Sequence, residues 1–167
     1  MMFSTRAEYG VRVMVHLARQ AETGGPGNGP CSLAQIAESD GLPFAYLEHL
    51  AARLKRAGLI ESRRGAHGGY LLAKPAADIT MAEVIEALEG QIAPIECVVE
   101  QADGKLTCTR ETETDHVCTT KVLWTKVQAA IVTTLTDITL AELAKPRERR
   151  PKIAAAASEK TNAAAAA

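Results

Sequence analysis

The stretch SLAQIAESDGLPFAYLEHLAARLKRAGLIESRRGAHGGYLLAKP, residues 32–75, carries two helical patterns joined by a tight turn, then two strand-like segments about a basic, glycine-rich turn. Ser32-x-x-Gln35 is a capping-box pattern, in which each side chain satisfies a backbone N–H that the first turn of a helix leaves unpaired. Leu33, Ile36 and Ala37 form the apolar face of the helix it opens, and Ser39-Asp40-Gly41-Leu42 reads as the turn. Pro43 suits the first position of the next helix, where Leu47, Leu50, Ala51 and Leu54 fall on one stripe. Gly58 stands where a left-handed C-terminal cap forms. Helix, glycine-containing turn, helix is the helix-turn-helix pattern. The face of the second helix opposite its apolar stripe carries Ala45, Tyr46, Glu48, His49, Arg53 and Arg56, and its N-terminal members are the ones a recognition helix presents to base edges. The segments Leu59 to Glu61 and Tyr70 to Ala73 then predict a β-hairpin wing, with Arg63, Arg64 and His67 at its tip within reach of phosphates or a minor groove. The fold class expected is mainly α with a small β-hairpin wing, a winged helix-turn-helix.

Upstream, Val11, Met14, Val15 and Ala18 recur at helical spacing within residues 9–19, an amphipathic first helix that ends at the Gly/Pro-rich loop of residues 22–30. His16 on it reads as a core-edge residue. Downstream, Thr80-x-x-Glu83 opens a short helix through Val84, Ile85 and Leu88 to Gly90, expected to pack on the wing. From Gln91 to Val117 no helical or strand period persists, and an irregular segment of that length in a compact protein is usually functional or disordered. A long helix of about five turns follows Cys118, with Val122, Trp124, Val127, Ile131, Leu135 and Ile138 as an apolar seam that predicts pairing with a second copy. Thr139-x-x-Glu142 marks a break and a short final helix, and residues 145–167 are a basic, Ala-rich tail expected to be disordered. The expected organisation is residues 1–75 for DNA binding, 76–118 as linker helix and cysteine loop, 119–144 as dimerisation helix, and 145–167 as tail.

Charge follows this division. The net formal charge of −1 separates into +3 over residues 1–75, −8 over 76–144 and +4 beyond, a basic module suited to phosphates followed by an acidic one. No run of about 18 apolar residues occurs, and the start MMFSTRAEYG lacks the pattern of a signal peptide, so the chain is expected to be cytoplasmic, with no membrane partner. No phosphate-binding glycine loop, paired carboxylates or nucleophile elbow points to an enzyme or a small-molecule substrate.

Cys97, Cys108 and Cys118 are spaced C-x10-C-x9-C, whereas Cys31 stands apart beside a helix start and reads as a small buried residue. Thiols in a reducing compartment favour metal ligation or redox sensing over a structural disulfide. The spacing lacks the C-x2-C pairs of a zinc site. Thiolates are the ligands of iron-sulfur clusters; a disulfide switch and incidental reduced thiols are the other readings.

Across residues 1 to about 144 the chain resembles the IscR/NsrR-type family of winged-helix iron-sulfur transcription regulators, through EYGVRVM, the 32–75 stretch, ITMAEVIEALEG, CTTKVLWTKVQAAI and DITLAEL. The resemblance implies a homodimer on a partly palindromic double-stranded operator, the third helix in the major groove and Arg64 of the wing in the minor groove. It also implies a two-iron or four-iron cluster held by Cys97, Cys108 and Cys118. The chain departs from the IscR pattern in wider cysteine spacing and in Lys121, which replaces a His three residues beyond the last Cys. The fourth ligand suggested by the NsrR-type pattern is Glu8 of the partner subunit, with His116 the competing candidate; Glu8 also fits as a helix-start acid complementing the dipole.

Overall fold

The computed structural model describes residues 3–22, 29–65, 67–101, 104, 106–114 and 117–145. His116, most of the Gly/Pro-rich loop and the tail beyond 145 lie outside them.

Helix α1 (Thr5–Glu22) is longer than its apolar period predicts. Its N-terminus is completed from far along the chain: a carboxylate oxygen of Glu89 accepts from the Ser4 and Ala7 backbone N–H groups, both at 3.2 Å, and the Arg6 guanidinium pairs with the other oxygen at 3.0 Å. A cap supplied by tertiary structure leaves no local signature. Helix α2 (Leu33–Asp40) has the expected capping box, with Gln35 N donating to Ser32 Oγ at 3.2 Å and Ser32 N to Gln35 Oε1 at 3.0 Å. It runs two residues further than expected, through Ser39 and Asp40, and stops at Gly41, whose φ of 65° is left-handed. Helix α3 (Phe44–Arg56) starts after Pro43, which caps it rather than occupying its first turn. It ends in a Schellman motif: Leu59 N donates to Leu54 O and Gly58 N to Lys55 O, each at 3.0 Å, with Gly58 at φ 72°.

Strands β1 (Ile60–Arg63) and β2 (Gly69–Leu72) form the wing in the register Ile60↔Leu72, Ser62↔Tyr70 and Arg63↔Gly69. Both are displaced toward the tip relative to expectation. Cys31 pairs with Tyr70 through two backbone hydrogen bonds of 2.8 and 2.9 Å, an isolated bridge that ties the chain ahead of α2 to the wing. Gly69 permits this approach, because a Cβ there would press on the Cys31 carbonyl.

Helix α4 (Met81–Glu89) carries the Thr80/Glu83 capping box and packs against α1 and α3. This corrects the expectation that it packs on the wing; its tie to the wing exit is the 2.6 Å pair of Lys74 with Glu83. Leu88 lies over Gly10 of α1, where any side chain would overlap it. The core therefore unites Met14, Leu17, Ile36, Leu47, Leu50, Leu54, Val84 and Leu88.

The segment expected to be irregular contains a hairpin, β3 (Val98–Glu100) with β4 (Leu106–Cys108), and the short helix α5 (Thr109–Thr114). Val98, Val99 and Thr107 are β-branched residues that favour extended backbone, and Gly104 at φ 79° turns the chain between them.

Helix α6 (Lys121–Asp137) and helix α7 (Leu140–Ala144) complete the chain. The apolar seam of α6 is divided. Ile131 and Leu135, with Val132, pack on Ala7, Ile85 and Ile92 of the same chain, while Val122 and Leu123 are 63% and 56% exposed. Gln128 is buried on this helix, and its Oε1 has no hydrogen-bond partner among the described residues. As expected, the long helix breaks at Thr139, which accepts from Glu142 N at 3.3 Å. Met81 N donates to Ile138 O at 2.9 Å and Leu140 N to Ile79 O at 2.8 Å, returning the chain to its first module. There Leu140 and Ala144 enter the core.

Candidate nucleic-acid interface and cysteine site

The core stripe of α3 separates two flanks with different fates. On one, Tyr46 stacks edge-on against Tyr9 of α1, with ring centroids 5.9 Å apart and planes at 85°. The Arg53 guanidinium on the same flank donates to the carbonyl of Leu88 at 3.3 Å, satisfying an acceptor at the C-terminal end of α4. Tyr46 and Arg53 of the sequence-predicted set thus have structural work on α1 and α4. On the other flank, Lys55 donates to Ser62 of β1 at 2.7 Å, which joins α3 to the wing. Ala45, Glu48 and His49 are exposed between the flanks. Phe44, absent from the sequence-predicted set, is exposed at the helix start; its apolar character hid it, because periodicity assigns such residues to cores.

At the wing tip Arg63, Arg64 and His67 are exposed, and Gly65 at φ 121° with a 2.9 Å bond from Gly68 N to its carbonyl shapes the turn. His16 lies at the edge of α1, with Nδ1 3.3 Å from Ser39 Oγ and 3.7 Å from Asp40 Oδ2.

The thiols fall into three situations. Cys31 is buried in the core beside the wing, and burial, then the charge of Asp40, pushes its thiol up in pKa. Cys108, buried at the end of β4, and Cys118, half-buried before α6, lie near enough that each thiol shifts the other's titration. Burial holds the Cys108 thiol protonated to higher pH. The Thr120 hydroxyl, 3.4 Å from Cys118 Sγ, with the N–H groups of Thr120 and Lys121, lowers that of Cys118. Cys97 precedes β3, its carbonyl accepting from Thr109 N at 2.9 Å. Its neighbour Val98 pairs with Cys108, and both are 1% exposed, so they share the inner face of the hairpin. Cys97 itself lies in the turn before β3. No three Cys, His, Asp or Glu side chains are gathered closely enough to hold a metal among the described residues.

Lys121, expected to break the ligand set, is bound at 2.6 Å to Glu111 Oε2, while Glu111 Oε1 accepts from Cys118 N at 3.0 Å. Glu111 was not a sequence candidate; it lies seven residues before Cys118, on a helix that the loop pattern concealed. Lys121 beside it, then the Cys118 N–H, holds the Glu111 carboxyl below the usual carboxylate range. Glu8 pairs with Arg12 one turn along the exposed side of α1, at 2.6 Å. The donor chemistry of Cys97, Cys108 and Cys118 suits a thiolate-ligated iron-sulfur cluster.

A helix-turn-helix with a basic wing and an exposed recognition face defines a DNA-binding transcriptional regulator. The chain belongs to the Rrf2 family, described as iron-dependent transcriptional regulators, whose model matches residues 3–146. It is 35% identical over 144 residues to the transcriptional regulator CymR of Bacillus subtilis, covering 86% of this chain and 90% of that one. It is also 35% identical over 148 residues to the regulator IscR of Klebsiella pneumoniae, covering 89% and 82% respectively. The solved structure of the oxidized form of Staphylococcus aureus CymR superposes with a TM-score of 0.64 at 34% identity, covering 89% of this chain and 99% of that one. These relatives are named as regulators, not enzymes. No helix among the described residues is long and apolar enough to cross a membrane.

Proposed function

We propose that the protein is a cytoplasmic, homodimeric, sequence-specific regulator whose affinity for its double-stranded operator is set by chemistry at Cys97, Cys108 and Cys118. The single observation that carries this is the tie of Cys118 to the segment that follows Cys108: Glu111 of α5 accepts from Cys118 N at 3.0 Å, and each of the two thiols shifts the other's titration. A chemical change there acts on the N-terminal end of α6, the helix whose C-terminal half packs on α1 and α4 residues of the DNA-binding module. Such coupling needs two arrangements of the module pair that bind DNA differently. Ala45, Glu48 and His49 of α3 meet base edges, and Arg63, Arg64 and His67 meet the backbone and minor groove, while Tyr46 and Arg53 hold α3 in place.

In the first form of the reading, the three cysteines hold a two-iron or four-iron cluster, in keeping with the iron-dependent family. The cluster supplies a centre sensitive to iron supply, oxidants or nitric oxide. Its fourth ligand is Glu8 of the partner subunit or His116. The nearness of the two thiols favours a second form without metal: the Cys118 thiolate and Cys108 thiol form a disulfide, giving two electrons and the Cys108 proton to hydrogen peroxide, which takes a second proton from solvent and leaves as two waters. Iron, labile sulfide and visible absorption of anaerobically purified protein decide between them. The first form gives a brown protein whose chromophore is lost in Cys97→Ala, Cys108→Ala and Cys118→Ala and kept in Cys31→Ala. Colourless, iron-free wild type overturns it and leaves the disulfide form, which mass spectrometry of peroxide-treated protein then verifies or rejects.

A further inference from the structure

Phe44 is the first residue of α3 and is 47% exposed. It is not part of the hydrophobic core cluster in which Tyr9 and Tyr46 take part. Close to half of an aromatic residue is thus left in water at the start of the helix whose outer face is read as meeting DNA, where it is free to pack on a base. Helical spacing sets Phe44, Glu48 and Lys55 on one stripe, and the bond from Lys55 to Ser62 of the wing shows that this stripe is the wing-side flank. The opposite flank is the one closed by Tyr9 and Leu88 O. Phe44 therefore stands at the N-terminal end of the recognition helix, on the wing-side flank and next to the exposed Ala45 and Glu48. On the reading that this exposed side of α3 meets base edges, its partner is a nucleic-acid duplex.

We propose that Phe44 is a specificity-determining residue that packs its ring on the 5-methyl group of a thymine in the major groove of each operator half-site. The inference rests on the DNA-binding reading of α3. An apolar side chain has no hydrogen bond to offer a base edge, and the thymine methyl is the apolar feature that the major groove displays. Glu48, one turn on, accepts from a cytosine amino group, so the pair would read neighbouring bases by different chemistry.

The test uses the full-length protein and a duplex that it selects from a random-sequence pool. Each thymine in that duplex is replaced in turn by deoxyuracil, which removes the methyl and changes nothing else on the base. For wild type, one position per half-site weakens binding about fourfold, as expected for about 0.8 kcal/mol per buried carbon. In Phe44→Ala that sensitivity disappears while binding stays salt-dependent. Wild-type affinity indifferent to every uracil, or a Phe44→Ala protein with an unchanged uracil profile, overturns the assignment and leaves the DNA-binding reading intact. Failure to select any duplex overturns both.

Discussion

Glu89 shows how much one side chain does here. Burial pushes its carboxyl upward, but the hydroxyl and N–H of Ser4, the Arg6 charge and the Ala7 N–H outweigh that and hold it below the ordinary carboxylate value. A carboxyl depressed on folding contributes stability that is present above its unfolded pKa, near 4.3, and is lost as pH falls through the lower folded value. Glu89→Gln is therefore expected to cost about 2 kcal/mol at pH 7, with the difference from wild type shrinking in urea unfolding at the acid end. An equal difference at both ends would deny the charge its role. Arg64 is a residue of another kind, exposed and bound to nothing else described, and the proposed wing contact gives it function without stability. Arg64→Ala should lower operator affinity about tenfold, about 1.4 kcal/mol, and flatten the salt dependence, while melting temperature and iron content stay at wild-type values. Unchanged affinity in a filter-binding titration removes the wing contact.

Among the elements, those with local chemical signatures were readable from sequence. Ser32/Gln35, Thr80/Glu83 and Gly58 each mark a helix end through bonds made within a few residues, and all three form. The start of α1 was not readable because its cap, Glu89, lies some eighty residues away. The β3–β4 hairpin was hidden because three-residue strands set among Glu and Gln show no sustained alternation. The exposed side of α3 was legible, but not which flank faced α1 and α4, since helical periodicity does not locate neighbours; the contacts of Tyr46 with Tyr9 and of Arg53 with the Leu88 carbonyl were therefore not foreseen. The seam of α6 was similarly seen whole, although its C-terminal half is consumed by Ala7, Ile85 and Ile92. What remains for a second copy is the half bearing Val122 and Leu123. Leu123→Asp is expected to give a folded monomer by sedimentation equilibrium; a dimer as stable as wild type would place the subunit interface elsewhere.

At the scale of the molecule, the N-terminal module and the cysteine site are linked by shared elements rather than a flexible tether. The chain leaves the module at α4, passes through the segment bearing Cys108 and Cys118, and returns through α6 and α7, which seats Leu140 and Ala144 in the core of α1 and α3. In the proposed reading, a displacement of the start of α6 is transmitted to the module through helix packing, and in a dimer it alters the spacing of two recognition helices against half-sites about one helical turn apart. Either chemistry at the thiols acts through this route, so the central claim does not depend on which is present. It is tested most directly by titrating the selected operator duplex with anaerobic and with peroxide-treated protein, wild type and Cys118→Ala, at one fixed salt concentration. Wild type is expected to change affinity at least fivefold between the two treatments, a coupling of about 1 kcal/mol, and Cys118→Ala to bind equally after both. Identical wild-type affinity before and after treatment would contradict the account.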